Sequence, residues 1–230
     1  MPQQQNLAIP AAIVIAGALV AAALYFSSSG GVPSFSNSDA GSAPSSGNVA
    51  PVTSDDHIMG NPDAPIVIVE YTDLECPFCK AFHITMKRII AEYGASGQVA
   101  WVVRNFPLQQ LHPNAPLIHE AAECVAELGG NNAYFAFIDE VFERAPINTF
   151  FDLTEMDATV AAVGVDTVPF NACLTSGRHK ERIAADFENA VDSGGQGTPH
   201  SVIIFADGTT ELIPGAQPYE SVKAAIDASR

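Results

Sequence analysis

The sequence predicts an α/β fold that is interrupted by an all-helical insertion and preceded by one transmembrane helix and a flexible linker. Three observations predict it. Strand and helix patterns alternate at both ends of residues 56–230, and helical patterns alone fill the segment from about 112 to 193. The first 38 residues contain no Asp, Glu, Lys or Arg. We therefore expect an anchor over residues 1–26, a linker over 27–55 and one folded domain over 56–230.

The composition limits the class of protein. Of the 230 residues 47% are hydrophobic and 16% are charged, which is enough apolar material for a buried core. Acidic residues outnumber basic ones by 26 to 10, so the formal net charge is -16. A chain this acidic repels phosphate backbones, and nucleic acid is therefore excluded as a partner.

The predicted anchor is the segment Leu7 to Phe26, twenty residues without a charge. As a helix it covers the hydrocarbon core of a bilayer, which is about 30 Å thick. The alternative is a cleaved signal peptide, because Ala21 to Ala23 are small residues of the kind found at cleavage sites. The apolar stretch is longer than the usual signal-peptide core of about 7–15 residues, so we predict an uncleaved anchor. Residues 27–54 contain ten Ser, four Gly and three Pro, a composition typical of a flexible tether.

The first half of the folded domain reads as strand, helix and strand. Ile66–Tyr71 (IVIVEY) is a β-branched run typical of a buried strand. Apolar residues then recur at spacings of three and four until Gly94, which predicts a helix with one buried face. Gln98–Arg104 (QVAWVVR) reads as a second strand. Two such strands joined by a helix are expected to pair in parallel.

The second half follows the helical insertion and reads as strand, strand and helix. Ser201–Phe205 (SVIIF) and Thr209–Ile213 (TTELI) flank the turn pair Asp207-Gly208, which is a strong hairpin signal. Apolar residues from Tyr219 onward then recur at helical spacing and predict a terminal helix.

Two cysteines three positions apart, Cys76 and Cys79, stand where the first strand passes into the helix. The helix start offers unpaired N–H groups and a positive dipole end, and both favour a thiolate at the first cysteine. Pro77 suits the first helical position, and Phe78 places an apolar patch beside that sulfur. This position predicts redox chemistry. The alternative is a copper or zinc carrier, but a metal site needs further ligands at short spacing, and His83 is the single nearby candidate.

Gly197-Thr198-Pro199 directly precedes a predicted strand, and Pro199 is therefore a candidate for a cis peptide bond. With this motif the chain resembles the DsbA-like thiol:disulfide oxidoreductases of the thioredoxin superfamily, over about residues 56 to 230. The resemblance rests on a set of shared positions: Asp56-His57, Gly60-Asn61-Pro62, Ala64-Pro65, Glu70, Cys76-Pro77-Phe78-Cys79 and Gly197-Thr198-Pro199. It implies a thioredoxin fold with a helical insertion.

The resemblance also implies roles for individual residues. Cys76 is expected to be the exposed nucleophile and Cys79 the buried resolving thiol. Pro199 is expected to be a cis-proline facing them, with Thr198 offering backbone groups to an extended substrate. Glu70 matches a buried acid that relays protons to or from the resolving thiol. The alternative for Glu70 is an ordinary carboxylate at a strand end, facing solvent.

The implied partners are exported proteins with thiols and a membrane redox partner that recycles the enzyme; no cofactor is implied. The folded domain is then expected outside the cytoplasm, in the periplasm or at the cell exterior, attached to the membrane by the N-terminal helix. The direction of electron flow stays open between an oxidase and a reductase or isomerase. Phe78 stands where the most oxidising members have His, and Thr198 where they have Val, so a less stabilised Cys76 thiolate is one possibility.

Cys124 and Cys173 fall on apolar faces of two different predicted helices. Two separate buried thiols would behave as small hydrophobic residues, which is one interpretation. An oxidising location and the similar insertion disulfides of DsbA-like proteins favour the other, a structural disulfide between them.

Overall fold

The computed structural model describes residues 48–145 and 150–228. Five strands in this part of the chain form one sheet with the order β1-β3-β2-β4-β5. The strands are β1 His57–Gly60, β2 Ile66–Thr72, β3 Val99–Asn105, β4 His200–Phe205 and β5 Thr210–Pro214. The helices are α1 Pro77–Ile89, α2 Ala115–Arg144, α3 Met156–Ala162, α4 Thr167–Ser176, α5 Lys180–Asp192 and α6 Tyr219–Ala228. A π-helical turn, Ile90–Gly94, extends α1, and a short 3-10 helix, Leu153–Glu155, precedes α3.

The centre of the sheet explains where the two sequence motifs meet. β2 pairs in parallel with β3 and antiparallel with β4, with Tyr71 opposite His200. Because β4 runs against β2, the residues after β2 and those before β4 lie at the same edge of the sheet. That edge carries Cys76 on one segment and Thr198 and Pro199 on the other. The contact between Cys76 and Thr198 joins residues that are 122 positions apart in the chain.

The α/β fold with a helical insertion is confirmed. Both predicted halves are present, and α2 to α5 fill the segment between β3 and β4. The apolar patterns within residues 114–145 predict two helices, and this is confirmed: the element α2 consists of two helical stretches that join at a kink. Its path changes at Gly130, where φ is +77°, a conformation that side chains with a Cβ rarely adopt.

The insertion is closed by a disulfide between α2 and α4. The Sγ atoms of Cys124 and Cys173 are 1.96 Å apart, and the two residues are separated by 49 positions in the chain. Both side chains are fully buried in the main core.

Replacing both Cys124 and Cys173 with alanine is expected to lower the free energy of unfolding by about 3 kcal/mol, because the unfolded chain then loses a long closed loop. Urea denaturation of the double variant and of the unmodified domain measures this difference. The rate at which iodoacetamide alkylates Cys76 in the folded variant should stay within about twofold, since the pair lies in the insertion and not at the sheet edge of Cys76. Equal stabilities would contradict the structural role.

One strand lies outside the sequence prediction. β1 is a four-residue edge strand, HIMG, antiparallel to β3. It is short and lacks a β-branched run, so its composition hides it. The side-chain amide of Asn131 covers its outer edge: Oδ1 accepts from the N–H of Ile58 at 3.2 Å, and Nδ2 donates to the Ile58 carbonyl at 2.5 Å. This contact occupies backbone groups that an edge strand otherwise presents to other chains.

The folded part begins before residue 56, within the end of the predicted linker. Arg104, a buried residue of β3, donates to the carbonyls of Ala50 and Pro51 at 3.0 and 3.1 Å and pairs with Asp56 at 2.8 Å. The predicted anchor over residues 1–26 and most of the linker lie outside the described residues. In the described part, no helix combines the length and the apolar character needed to cross a bilayer.

Candidate active site

The segment between β2 and α1 is a tight turn that ends at the first cysteine. The carboxylate of Asp73 accepts from the Glu75 N–H at 2.8 Å, and the Asp73 carbonyl accepts from the Cys76 N–H at 3.0 Å. Asp is favoured at such turns because its side chain bonds the backbone two residues on. Cys76 is the N-cap of α1 with extended backbone, and Pro77 takes the first helical position. Sequence and local geometry therefore place Cys76 at the positive end of a helix.

The two thiols of the reduced protein differ in acidity. Donation from the Cys79 thiol lowers the pKa of Cys76 to about 6, although burial opposes the shift, and the N–H groups of Cys79 and Phe78 add to the lowering. Burial raises the pKa of Cys79 well above its ordinary value, and the charge of Cys76 raises it further. At pH 7 the pair therefore holds a thiolate at Cys76 and a thiol at Cys79, which is the form of a dithiol ready to attack a disulfide.

The burial of Cys76 differs from the expectation of an exposed nucleophile. Cys76 is 5% exposed and Cys79 is 0% exposed, so Cys76 is only the more accessible of two buried residues. The exposed residues of the motif are Pro77 and Phe78, and Phe78 is 65% exposed. The chain around the cysteine, and not the sulfur, forms the outer surface of the site.

Thr198 and Pro199 face the first thiol. The Thr198–Pro199 peptide bond is cis, and the Cys76 Sγ lies 3.6 Å from the Thr198 carbonyl oxygen. Thr198 is half-buried and Pro199 is buried. The structure therefore brings the two motifs together across the sheet edge, with backbone of Thr198 directly beside the sulfur.

Glu70 lies beneath the thiols on β2 and is 1% exposed, so it is not a solvent-facing carboxylate. Burial raises its pKa to about 7, and the charge of Cys76 adds to the rise. The Trp101 Nε1–H donates to Glu70 Oε2 at 2.9 Å. This bond and one from Thr72 lower the pKa of Glu70, but by less than burial raises it. Glu70 is therefore half-protonated near neutral pH, as an acid that gives and takes protons must be.

Several polar residues that hold this loop are missed by sequence reasoning. Asp73, fully buried, accepts from the Leu108 N–H at 2.7 Å and from His112 Nδ1 at 2.9 Å. Its own N–H donates to the Cys79 Sγ at 3.4 Å. Glu75 Oε2 accepts from the Asn114 N–H at 2.9 Å. The turn before Cys76 is thereby fastened to the segment that leads into the helical insertion.

His119 completes this support from within the core. Burial lowers its pKa to about 4, so the imidazole is neutral at pH 7. Its Nε2 accepts from the Leu74 N–H at 3.2 Å, while Nδ1 donates to Asn105 Oδ1 at 2.7 Å. For this loop the sequence carries one signal, Asp73 directly after β2. An Asp at that place indicates a turn, but it does not indicate which residues hold the turn.

Metal-ligating side chains come close together at another place. Among the described residues, Cys124, Cys173 and His179 have ligand atoms within 4.8 Å of one another, but the two sulfurs are joined as a disulfide. His83, the residue considered as a ligand beside the cysteine pair, instead contacts Asp139 at 2.6 Å through Nε2.

Alkylation of the reduced protein by iodoacetamide is expected to reach half its maximal rate near pH 6, because the reactive species is the Cys76 thiolate. Peptide mapping should find the label on Cys76 first. Cys79 should stay unmodified until above pH 9, since burial raises its pKa well above the ordinary value of 9.0. A Cys76→Ser variant serves as the control and should lose the early phase. Labelling of Cys79 first would reverse the assignment.

Comparison with known proteins places the fold in a family. A family model described as thioredoxin matches residues 52–228. Among solved structures, α-DsbA1 from Wolbachia pipientis has a TM-score of 0.66 at 23% identity, over 77% of this chain and 92% of the other. DsbA2 from Pseudomonas aeruginosa has a TM-score of 0.64 at 26% identity, over 78% of this chain and 97% of the other. The thioredoxin-like fold with a helical insertion is thereby shown.

A curated relative carries a different name. The Na(+)/H(+) antiporter NhaA of Herminiimonas arsenicoxydans is 31% identical over 175 residues, which is 76% of this chain and 26% of the antiporter. The chain thus spans about a quarter of the length of that relative. The antiporter name describes a protein of which the matching segment is a minor part.

Proposed function

Because the chain belongs to the thioredoxin superfamily, as a DsbA-like thiol:disulfide oxidoreductase, we propose that it forms disulfides in exported proteins through Cys76 and Cys79. The observation that carries the proposal is the unequal pair of thiols, with an acidic Cys76 at a helix start and a buried, weakly acidic Cys79 behind it. Pro77 and Phe78 shape the surface around the reacting sulfur, and Thr198 and Pro199 form its opposite wall.

The proposed reaction is a two-electron exchange. A substrate thiolate attacks Cys76 Sγ of the oxidised pair, and the Cys76–Cys79 bond breaks as a mixed disulfide forms. Cys79 leaves as a thiolate and takes up one proton. A second substrate thiolate then attacks the substrate sulfur of the mixed disulfide and releases the Cys76 thiolate. The substrate loses two electrons to form its disulfide, and the reduced pair passes them to a membrane redox partner.

Glu70 is the proposed proton relay for the buried sulfur. The charge of Glu70 contributes to the raised pKa of Cys79, and the charge of Cys76 contributes to the raised pKa of Glu70. The three groups therefore interact electrostatically. With a pKa of about 7, Glu70 supplies the proton that Cys79 needs on leaving and accepts it when the pair is reoxidised.

The acidity of Cys76 favours the oxidase over the reductase or isomerase. Stabilising the thiolate stabilises the reduced protein, which makes the disulfide a stronger oxidant. Lowering the pKa from 9.0 to about 6 favours reduction about tenfold at pH 7, or about 30 mV.

The test is the redox equilibrium of the domain with glutathione, measured between pH 5 and 8. We expect the potential to fall by about 59 mV per pH unit below pH 6, where two protons are taken up, and by about 30 mV above it. A potential nearer to about -120 mV than to about -270 mV supports an oxidase, and the reverse supports a reductase. Failure of the oxidised domain to form a disulfide in any dithiol peptide would overturn the proposal.

The proposed location is outside the cytoplasm, with the chain anchored by residues 1–26. The buried disulfide between Cys124 and Cys173 supports it, because such bonds persist in oxidising compartments. Fractionation of cells, followed by protease treatment of intact and lysed samples, tests both parts. A soluble product that begins near Leu24 would show cleavage and replace the anchor by a signal peptide.

A further inference from the structure

A groove of about 1030 Å³ lies beside the candidate active site, on the side of the helical insertion. It runs between the segment that follows β3 and the helices α4 and α5. Its walls are largely apolar: Leu108, Leu111, Leu117, Leu174, Ile183 and Phe187. Leu111, Leu117 and Phe187 are among the exposed large hydrophobic residues of the described chain. Contiguous exposed apolar surface of this kind is typical of a binding site.

Two segments that line the groove lead directly to residues around the thiols. Gln196 lines it and stands two residues before Thr198, whose carbonyl lies 3.6 Å from Cys76 Sγ. Pro113 also lines it, and the next residue, Asn114, donates its N–H to Glu75, the neighbour of Cys76. A polypeptide with a cysteine at Cys76 therefore has this groove as the adjoining surface.

One oxygen of a buried acid in the groove lacks a donor among the described residues. Glu120 lines the groove and is 3% exposed. Its Oε1 accepts from the His179 N–H at 3.0 Å, but its Oε2 is buried and has no hydrogen-bond partner among the described residues. An unpaired buried carboxylate oxygen is unfavourable, and an N–H group from a bound molecule removes the penalty. The charged residues of the lining, Glu120, Glu188 and Lys180, are net acidic.

We propose that this groove binds the part of the substrate polypeptide next to its reacting cysteine, and that it selects segments with apolar side chains and one basic side chain. The proposal rests on the proposed function, because it assigns the groove to the substrate of Cys76. The apolar walls hold the apolar side chains, and a guanidinium or ammonium group donates to Glu120 Oε2. The net charge of -16 attracts such a segment before contact.

The test compares two aspartate variants on one helix. Leu117 and Leu128 both lie on α2 and are 41% and 39% exposed, but only Leu117 is a wall of the groove. With a dithiol peptide that has Leu, Phe and Arg beside its cysteines, Leu117→Asp is expected to raise KM about tenfold without changing kcat, while Leu128→Asp stays within about twofold. With a peptide that has only Ser and Gly beside its cysteines, both variants should have the KM and kcat of the unmodified protein. Equal KM values for the two variants, or slower reaction of Leu117→Asp with the Ser/Gly peptide, would overturn the docking site.

A second pair of peptides tests the buried acid. The unmodified protein is expected to bind the Arg peptide at least about fivefold more tightly than the same peptide with Gln in its place, and Glu120→Gln should reduce this preference to within about twofold. Binding is measured by fluorescence anisotropy of labelled peptides with Ser in place of Cys, so it needs no chemistry. If no thiol is oxidised but these peptides bind as expected, the proposed function fails and the groove stands. Two outcomes would overturn the selection of a basic substrate segment. One is a preference for the Arg peptide that persists in Glu120→Gln, and the other is a dimer of this chain that Leu117→Asp dissociates.

Discussion

Replacing Cys79 with serine is expected to leave a disulfide peptide covalently joined to Cys76 of the reduced protein, and to slow the resolution of this mixed disulfide, the reverse of the proposed oxidation, about a thousandfold. In the unmodified protein Cys79 attacks within the same molecule, and the high effective concentration of such a group exceeds what a millimolar external thiol supplies. The Cys76 thiolate remains reactive in the variant, so the mixed disulfide forms but is not resolved. Mass spectrometry of the acid-quenched reaction measures the adduct.

The matched variant is Cys76→Ser, which retains only the fully buried thiol of Cys79, whose pKa is raised. We expect no adduct from it at pH 7, because little thiolate is present and the sulfur is inaccessible. Adducts of equal amount on both variants would contradict the division of roles between the two cysteines.

Glu70→Gln is expected to slow the resolution of mixed disulfides by at least about a hundredfold at pH 7, because Cys79 then loses its base. In the unmodified protein this step should accelerate as the pH rises through about 7, where Glu70 ionises. The variant should lack that rise and accelerate only where Cys79 itself ionises. Rapid-quench measurement of the reoxidation of the reduced domain by a disulfide peptide follows the step directly. An unchanged pH profile would exclude Glu70 as the relay.

Two further measurements separate a relay from a structural role. Trp101→Phe removes a donor that lowers the pKa of Glu70, so the midpoint of the pH profile should move upward. The folded pKa of Glu70 is above its unfolded value of 4.5, so its contribution to stability is present at low pH and is lost as the pH rises through about 7. We therefore expect Glu70→Gln to be more stable than the unmodified protein at pH 8, by up to about 3 kcal/mol. A merely structural residue would give a loss.

The framework of the fold is predictable because its signals are local. Ile66–Tyr71 is predicted as a strand because β-branched residues fill it, and the structure extends that strand only to Thr72. Gly94 ends the helical segment after Cys79 as expected. β1 is missed because HIMG has no local strand signal, and it pairs because β3 presents an edge. The two helices expected within residues 114–145 are present, and they join at Gly130, where the backbone is not helical.

The candidate site is predictable only as far as its motifs extend. Cys76 and Cys79 stand together in the sequence, but the partners that hold their loop come from elsewhere. Asp73 bonds His112 across 39 positions, and Leu74 bonds His119 across 45. Such pairs carry no periodic signal, because they follow from the packing of the insertion on the sheet. The burial of Cys76 has the same origin, since Thr198 approaches it from the segment before β4.

The Arg104 contacts also have a mechanical consequence. The five N–H groups of the guanidinium face six acceptors: the Ala50 and Pro51 carbonyls, both oxygens of Asp56, the Tyr71 hydroxyl and Asn189 Oδ1. A pull on the chain at residue 48 therefore acts first on the contacts of Ala50, Pro51 and Asp56 with Arg104 on β3 and Asn189 on α5, before it reaches any residue after Asp56. We expect the turn that ends at Cys76 to keep its geometry when the predicted linker is pulled, because the contacts of Ala50, Pro51 and Asp56 with Arg104 open first.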